Sequence, residues 1–232
     1  MIRRMEVDWP DARPFADRDG RPIRLLAVSD VADPALEQAA NRAGIGPIDG
    51  IVGCGDLEAD WLTFLGDAFG APMVHVRGNH DRGGAWRHGA THAPAALASG
   101  HIDRLAGIAI GGLGWPGVDE PGNPRRPWRA WLDTLALARR IVLSRLGGRR
   151  EPILVISHVP PEGLGDVPTD RYHRGFASYR WLLERLRPPL WLHGHTTTAS
   201  VAELTVQAGR TSVVNVTGAV LLELRPTPSL PG

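Results

Sequence analysis

Five short apolar runs, each stopping at a residue that can hold a metal ion or carry a proton, constrain this chain more than any other feature. Residues 23–29 (I-R-L-L-A-V-S) lead to Asp30, and residues 48–53 lead to Gly55-Asp56. Residues 72–76 end in Arg77-Gly78-Asn79-His80-Asp81, residues 152–157 in His158, and residues 189–192 in His193-Gly194-His195. Between these runs the spacing predicts helices: Pro34 opens one that reaches Ala43 and is closed by Gly44 and Gly46, and a second at 59–69 stops at Gly70. Two more are expected at 128–146 and 177–186. Short strands alternating with helices of this length indicate βαβ units and a mainly parallel sheet.

The remaining stretches read differently. Residues 1–22 are polar, and Pro10, Pro14 and Pro22 break their periodicity, so an irregular lead-in is expected there. Residues 82–100 are rich in Gly, Ala and His and read as loop; 108–113 is a strand, and 115–127 a Pro/Gly-rich surface loop. The end of the chain turns to short alternating runs at 200–206, 211–216 and 219–224, with Gly209 and Gly218 at the turns. These suggest a second sheet packed on the first. The organisation expected is the lead-in at 1–22, one domain over 23–224 and a tail at 225–232.

Composition narrows the function classes. A chain of 232 residues, 43% of them hydrophobic, can bury one large α/β core. No stretch reaches the ~20 consecutive apolar residues of a membrane helix. The opening Met1-Ile2-Arg3-Arg4 is followed by acids and prolines rather than an apolar run, so no secretory signal is expected. The single cysteine, Cys54, precludes an internal disulfide and suits a reducing cytoplasm. A net charge of +1 gives no global reason to expect nucleic acid or an anionic membrane as partner. The arginines at 139, 140, 145, 149 and 150 complement a helix C-terminus and face water.

Taken singly, the strand-end residues are ambiguous. An Asp after a strand is often a turn former or cap, Gly78-Asn79 can be a plain turn, and a lone histidine such as His158 is more often structural than a ligand. Their conjunction is different. Asp30, Asp56, Asn79, His158 and His195 all stand at the C-terminal ends of predicted strands, which converge on one edge of an open α/β sheet, where ligands bind. Carboxylates gathered there without a cation would repel one another. Carboxylate, amide oxygen and imidazole together suit Mn, Fe or Zn, and the lack of cysteine ligands argues against structural zinc. Such an ion activates water and neutralises phosphate, services that phosphate-ester hydrolysis uses together.

The ordered series S-D-V-A-D (29–33), G-D-L (55–57), G-N-H-D (78–81), S-H-V-P-P (157–161) and H-G-H-T-T (193–197) resembles the motif set of calcineurin-like metallophosphoesterases, over about residues 23–224. The resemblance implies a two-sheet α/β sandwich flanked by helices, acting as a metallophosphoesterase on a small phosphorylated substrate. It also implies that Asp56 bridges two metals, that Asn79, His158 and His195 complete the second site, and that Asp30 belongs to the first. His80 takes the place of the general acid or electrostatic stabiliser near the leaving group. Asp81 and His193 stand behind the ligands as orienting groups. His173-Arg174-Gly175-Phe176, followed by Arg180-Trp181-Leu182-Leu183, is similar to a segment of one bacterial branch. Arg82, His173 and Arg174 are candidates to bind substrate phosphate, as is Arg77.

Two departures bear on the first metal. Ala32 and Thr197 occupy positions where the family carries histidines, and both of those histidines serve that site. Asp33, three residues along the same loop as Asp30, could replace one ligand, or it could simply cap the helix at Pro34. One tight site and one weak or altered site follow, the altered one favouring hard ions such as Mn or Mg. Three functions stay open on this reading: a metal-dependent mono- or diesterase, a catalytically impaired binding or scaffolding protein, and a nuclease-type phosphodiesterase. The intact second site favours the first, and the neutral charge balance disfavours the third.

Overall fold

The computed structural model describes residues 2–82, 86, 95–117, 120–148 and 150–227. Parts of the loops expected at 82–100 and 115–127, Arg149 and the last residues of the tail (228–232) lie outside the described residues.

Among the described residues, eleven strands form two sheets. In chain order they are β1 (Arg3–Trp9), β2 (Ile23–Ser29), β3 (Gly50–Gly53), β4 (Met73–His75), β5 (His101–Leu105), β6 (Ile108–Leu113), β7 (Ile153–Ser157), β8 (Leu190–His193), β9 (Thr205–Ala208), β10 (Thr211–Asn215) and β11 (Gly218–Pro226). The helices are α1 (Ala39–Ile45), α2 (Ala59–Phe69), α3 (Pro127–Leu146) and α4 (Ala177–Leu186), with single 3-10 turns at Arg13–Phe15 and Pro34–Leu36. One sheet runs β1-β11-β2-β3-β4 and the other β5-β6-β7-β8-β10-β9. Strands β2, β3 and β4 are mutually parallel, as are β6, β7, β8 and β10. The expected sandwich of two sheets with flanking helices is the architecture observed.

Three apolar layers explain why the strands read as unbroken apolar runs. Alternate residues of β2 part company: Leu25 and Ala27 join Val52, Ile110, Leu154, Ile156, Leu192 and Leu222 between the sheets. Leu26 and Val28 instead pack outward with Ile51, Leu62 and Leu65, against α2. On the far sheet, Val155 and Trp191 face Ala130, Leu137, Tyr179 and Leu182 of α3 and α4. A strand covered on both faces needs side chains that are apolar at odd and even positions alike, which erases the period-two signal.

Four expectations are corrected. Residues 3–9 are not irregular: β1 lies parallel to β11 as an edge strand, with Val7 and Trp9 buried. The signal is the alternation of Met5, Val7 and Trp9 with Arg4, Glu6 and Asp8, which prolines further along do not interrupt. The closing strands also build no sheet of their own. β9 and β10 extend the second sheet, while β11 crosses to the first and pairs antiparallel with β2, which aligns Gly218 with Ser29. Residues 200–204, expected to begin a strand, are turn and coil, and β5, paired antiparallel with β6, was not expected at all.

Candidate metal centre

The loops after β2, β3 and β4 of one sheet meet the loops after β7 and β8 of the other at a single edge of the sandwich. Asp30 and Asp56 follow the first two of these strands, and Asn79 lies four residues beyond β4. His158 and His195 come from the facing sheet, immediately and two residues after their strands. Asp30, Asp56 and His195 sit at φ of 59°, 56° and 67°, a left-handed conformation that non-glycine residues adopt reluctantly. That backbone turns each side chain back across the strand ends.

His158 is the centre of the group. It is fully buried, and its Nδ1 lies 2.8 Å from the Cys54 carbonyl, which fixes the ring and aims Nε2 at the cluster. Around that Nε2 stand Asn79 Oδ1 at 2.8 Å, Asp56 Oδ2 at 3.2 Å and His195 Nδ1 at 3.2 Å. The other nitrogen of His195 lies 3.0 Å from the Tyr172 carbonyl, so this imidazole is oriented by a backbone acceptor in the same way. Asp30, Asp56 and His158 also bring one donor atom each to within 4.8 Å of one another.

The electrostatics show what the cluster lacks. Burial alone would lower the His158 pKa, but its hydrogen bond and ion pair with Asp56, with help from Asp30, push it up to about 9. Burial would raise the Asp56 carboxyl, yet His158 outweighs this and holds it below its usual range. Burial, with repulsion from Asp56, raises the Asp30 carboxyl. His195 goes the other way: burial and the charge on His158 lower it to about 3, leaving a neutral imidazole with a free lone pair. A proton on His158 thus offsets the charge of Asp56, and the Asn79 amide oxygen and the His195 imidazole crowd the same nitrogen. A divalent cation would offset that charge better and would displace the proton.

The donors fit such an ion. Ligand atoms bound at about 2.1 Å and at right angles stand roughly 3 Å apart, the separation seen around His158. Two glycines permit the approach. A Cβ on Gly78 would lie 2.2 Å from Asp56 Oδ1, and one on Gly194 would lie 1.9 Å from Ser29 Oγ and 2.2 Å from Asp30 Oδ2.

Supporting groups hold the frame. Asp81 is buried and accepts the backbone N–H groups of Gly78, Asp56 and Leu57 at 2.7, 2.8 and 3.1 Å, binding the β3 and β4 loops to each other. Burial, with the nearby Asp56 charge, pushes its pKa up to about 6. Arg77 donates to the Asp81 carbonyl at 2.6 Å. Both oxygens of Asp30 accept the His195 N–H at 3.0 Å, and Thr217 Oγ1 lies 3.2 Å from one of them. Asp30 is therefore also a brace for His195. His193 is buried under Gly165, beside the Gly194 carbonyl 3.0 Å from its Nδ1, and burial lowers its pKa to about 4.

The other candidates lie further out. The His80 ring is 70% exposed with Nε2 4.0 Å from Asp56 Oδ2, while its N–H donates to Asp56 Oδ1 at 2.7 Å. His173 stacks 5.1 Å from His195 and pairs with Asp170; Arg82 and Arg174 are exposed at the rim. Asp33 accepts the Ala35 N–H at 2.9 Å, so it caps the 3-10 turn at Pro34–Leu36. Ala32 and Thr197 are both exposed.

Four residues at the site were not foreseen. Trp115 lays its ring 5.4 Å from His195 and 6.4 Å from His158. Asn123, buried, donates to the Asn79 carbonyl. Arg125 donates to the carbonyls of Tyr172, Arg174 and Gly175, with its guanidinium 4.1 Å above Phe176. Tyr172 in turn places its carbonyl on His195 and its hydroxyl 3.4 Å from the Asn79 amide. In sequence they sit in loops without periodicity, and only Tyr172 lies next to a noticed motif.

No curated protein matches the chain. Among solved structures, TT1561 of Thermus thermophilus superposes with a TM-score of 0.58 at 19% identity, covering 85% of this chain and 90% of that one. A dimetal phosphatase from Danio rerio gives 0.55 at 12%, covering 85% and 88%. GAP50, the anchor in the inner membrane complex of Plasmodium, gives 0.52 at 12%, covering 84% and 71%. Identities this low establish a shared fold. The sequence match is more specific: residues 24–198, which carry every ligand candidate above, fit the calcineurin-like phosphoesterase family model, and the chain belongs to that family.

Proposed function

We propose that the chain hydrolyses a small phosphate ester at a divalent cation held by Asp56, Asn79, His158 and His195, with Mn the favoured ion and Fe, Zn or Mg as alternatives. The observation that carries this reading is the convergence of Asn79 Oδ1, Asp56 Oδ2 and His195 Nδ1 to 2.8–3.2 Å from His158 Nε2, four ligand atoms from four separate strand ends. A divalent ion bound there lowers the pKa of water toward neutrality and offsets phosphate charge. The protein's own groups do the rest. The Cys54 and Tyr172 carbonyls hold the two imidazoles in the ligating orientation. Trp115 covers the inner side of His158 and His195 and keeps water from it. His80, on the solvent side of Asp56, gives a proton to the departing oxygen, while His173, Arg174 and Arg82 at the rim take phosphate oxygens.

A second ion would lie on the Asp30 side and bind weakly, because Ala32 and Thr197 supply no imidazole and Asp33 is engaged as a cap. That same thinning favours a second reading, a binding protein that has kept the fold without the activity, and GAP50 is an anchor on this fold. Nucleic-acid ends remain the less favoured substrate, and a reducing cytoplasm the favoured location for a chain whose one cysteine is buried. No helix among the described residues is long and apolar enough to cross a membrane.

The test is hydrolysis of aryl phosphate mono- and diesters by chelator-stripped protein with and without added Mn. Activity that returns with the ion supports the enzyme; none in any metal supports the binding protein. In the active protein, His80→Ala is expected to lower turnover of alkyl phosphate esters by about 10²–10⁴-fold at near-normal metal content. The loss should shrink for aryl esters, whose leaving groups need no proton. Full activity of this variant on an alkyl ester would remove His80 from the mechanism.

A further inference from the structure

We propose that the outward face of α3 is a homodimer interface, on which a second copy of the chain docks in antiparallel fashion. The inner face of α3 is accounted for: Ala130, Thr134, Leu137 and Ile141 are buried against the second sheet and α4. The opposite face is apolar as well. Trp128, Trp131, Leu132, Leu135, Val142, Leu143 and Leu146 are 37–79% exposed, and among the described residues the other large exposed hydrophobics are Val31 and Tyr172 alone. At 3.6 residues per turn these seven fall within an arc of about 120° centred opposite Leu137. They form one stripe, interrupted at its middle by the exposed Arg139, along a helix roughly 30 Å long.

The size and order of the stripe select the occupant. The seven side chains expose on the order of 700 Å², above the ~300–600 Å² of the largest patch on a typical monomer. That area is close to the ~800 Å² that a standard interface takes from each partner. The order of residues is mirrored about Leu137: Trp128 stands as far before it as Leu146 after it, Trp131 as Leu143, Leu132 as Val142, and Leu135 as Arg139. A two-fold interface demands this self-complementarity, because every contact of one residue with another must recur with the copies exchanged. Antiparallel packing of two such helices would set Trp128 on Leu146 of the other copy and bring Leu132 beside Val142. The aliphatic stem of Arg139 would lie along Leu135 with its head at the rim. Arg129 and Arg145 fall outside this arc, one on each edge of the helix, and Glu120 offsets the charge of Arg129 within its own chain. A residual excess of arginine at both rims predicts a dimer that tightens as salt screens it. Trp131 packs 5.7 Å from Trp181, so the near edge of α4 adjoins the same surface.

The purified full chain should sediment at twice its monomer mass at tens of micromolar. The double substitution Leu132→Glu and Leu143→Glu should return it to monomer with unchanged circular dichroism, since neither side chain is buried in the protomer. To fix the geometry, Leu132→Cys combined with Val142→Cys should give an oxidised covalent dimer; native Cys54 is buried and will not compete. A wild-type monomer throughout that range would overturn the proposal. So would a dimer that survives both glutamates and fails to cross-link.

Discussion

Replacing Asn79 or His195 with alanine is expected to cut affinity for the tightly held ion by more than about 100-fold, and turnover with it. Each side chain supplies one of four donors, so its loss leaves a gap that water fills poorly. Asn79→Ala keeps the backbone carbonyl that Asn123 grips, so the loop should hold its course while the amide oxygen 2.8 Å from His158 is gone. His195→Ala keeps the N–H that both Asp30 oxygens accept. Both variants should therefore fold, which circular dichroism checks, while elemental analysis after gel filtration reads the metal. Wild-type metal content in both would remove them as ligands.

Asp81→Ala should damage stability and site together. One buried carboxylate accepts three backbone N–H groups, and alanine would strand all of them away from water. Each stranded buried donor costs about 1–3 kcal/mol, giving roughly 3–9 kcal/mol in total. That is a large part of the 5–15 kcal/mol that holds a typical domain together. The denaturation midpoint should fall sharply, and metal content with it, because Asp56 and Gly78 are no longer tied. Asp81→Asn, which retains an acceptor oxygen, should lose less. A midpoint unchanged in Asp81→Ala would show that the loops are held by other contacts.

The ligand candidates were legible because each lies within four residues of the end of a strand covered on both faces, where a polar residue is conspicuous against an apolar run. What placed them in one cluster was not legible from strand ends alone. They come from two sheets, three residues from one and two from the other, and the chain passes between those sheets from β4 to β5 and back from β10 to β11. The β1 strand was hidden by the prolines beyond it, although Met5, Val7 and Trp9 alternate plainly. Trp115, Asn123, Arg125 and Tyr172 gave no signal because their loops take shape from contacts made in the fold: a guanidinium on three carbonyls, an amide on one. Asp33 was balanced between ligand and cap in the sequence; in the structure its carboxylate is turned toward the helix it starts.

If these strand ends build a metal centre, crystals can show it. The most direct measurement is anomalous diffraction from crystals grown with Mn. The account predicts one strong peak within bonding distance of Asp56 Oδ2, Asn79 Oδ1, His158 Nε2 and His195 Nδ1, with a second, weaker peak at most on the Asp30 side. No peak among these four atoms at saturating Mn, or a strong peak that leaves His158 or His195 unbound, would contradict it.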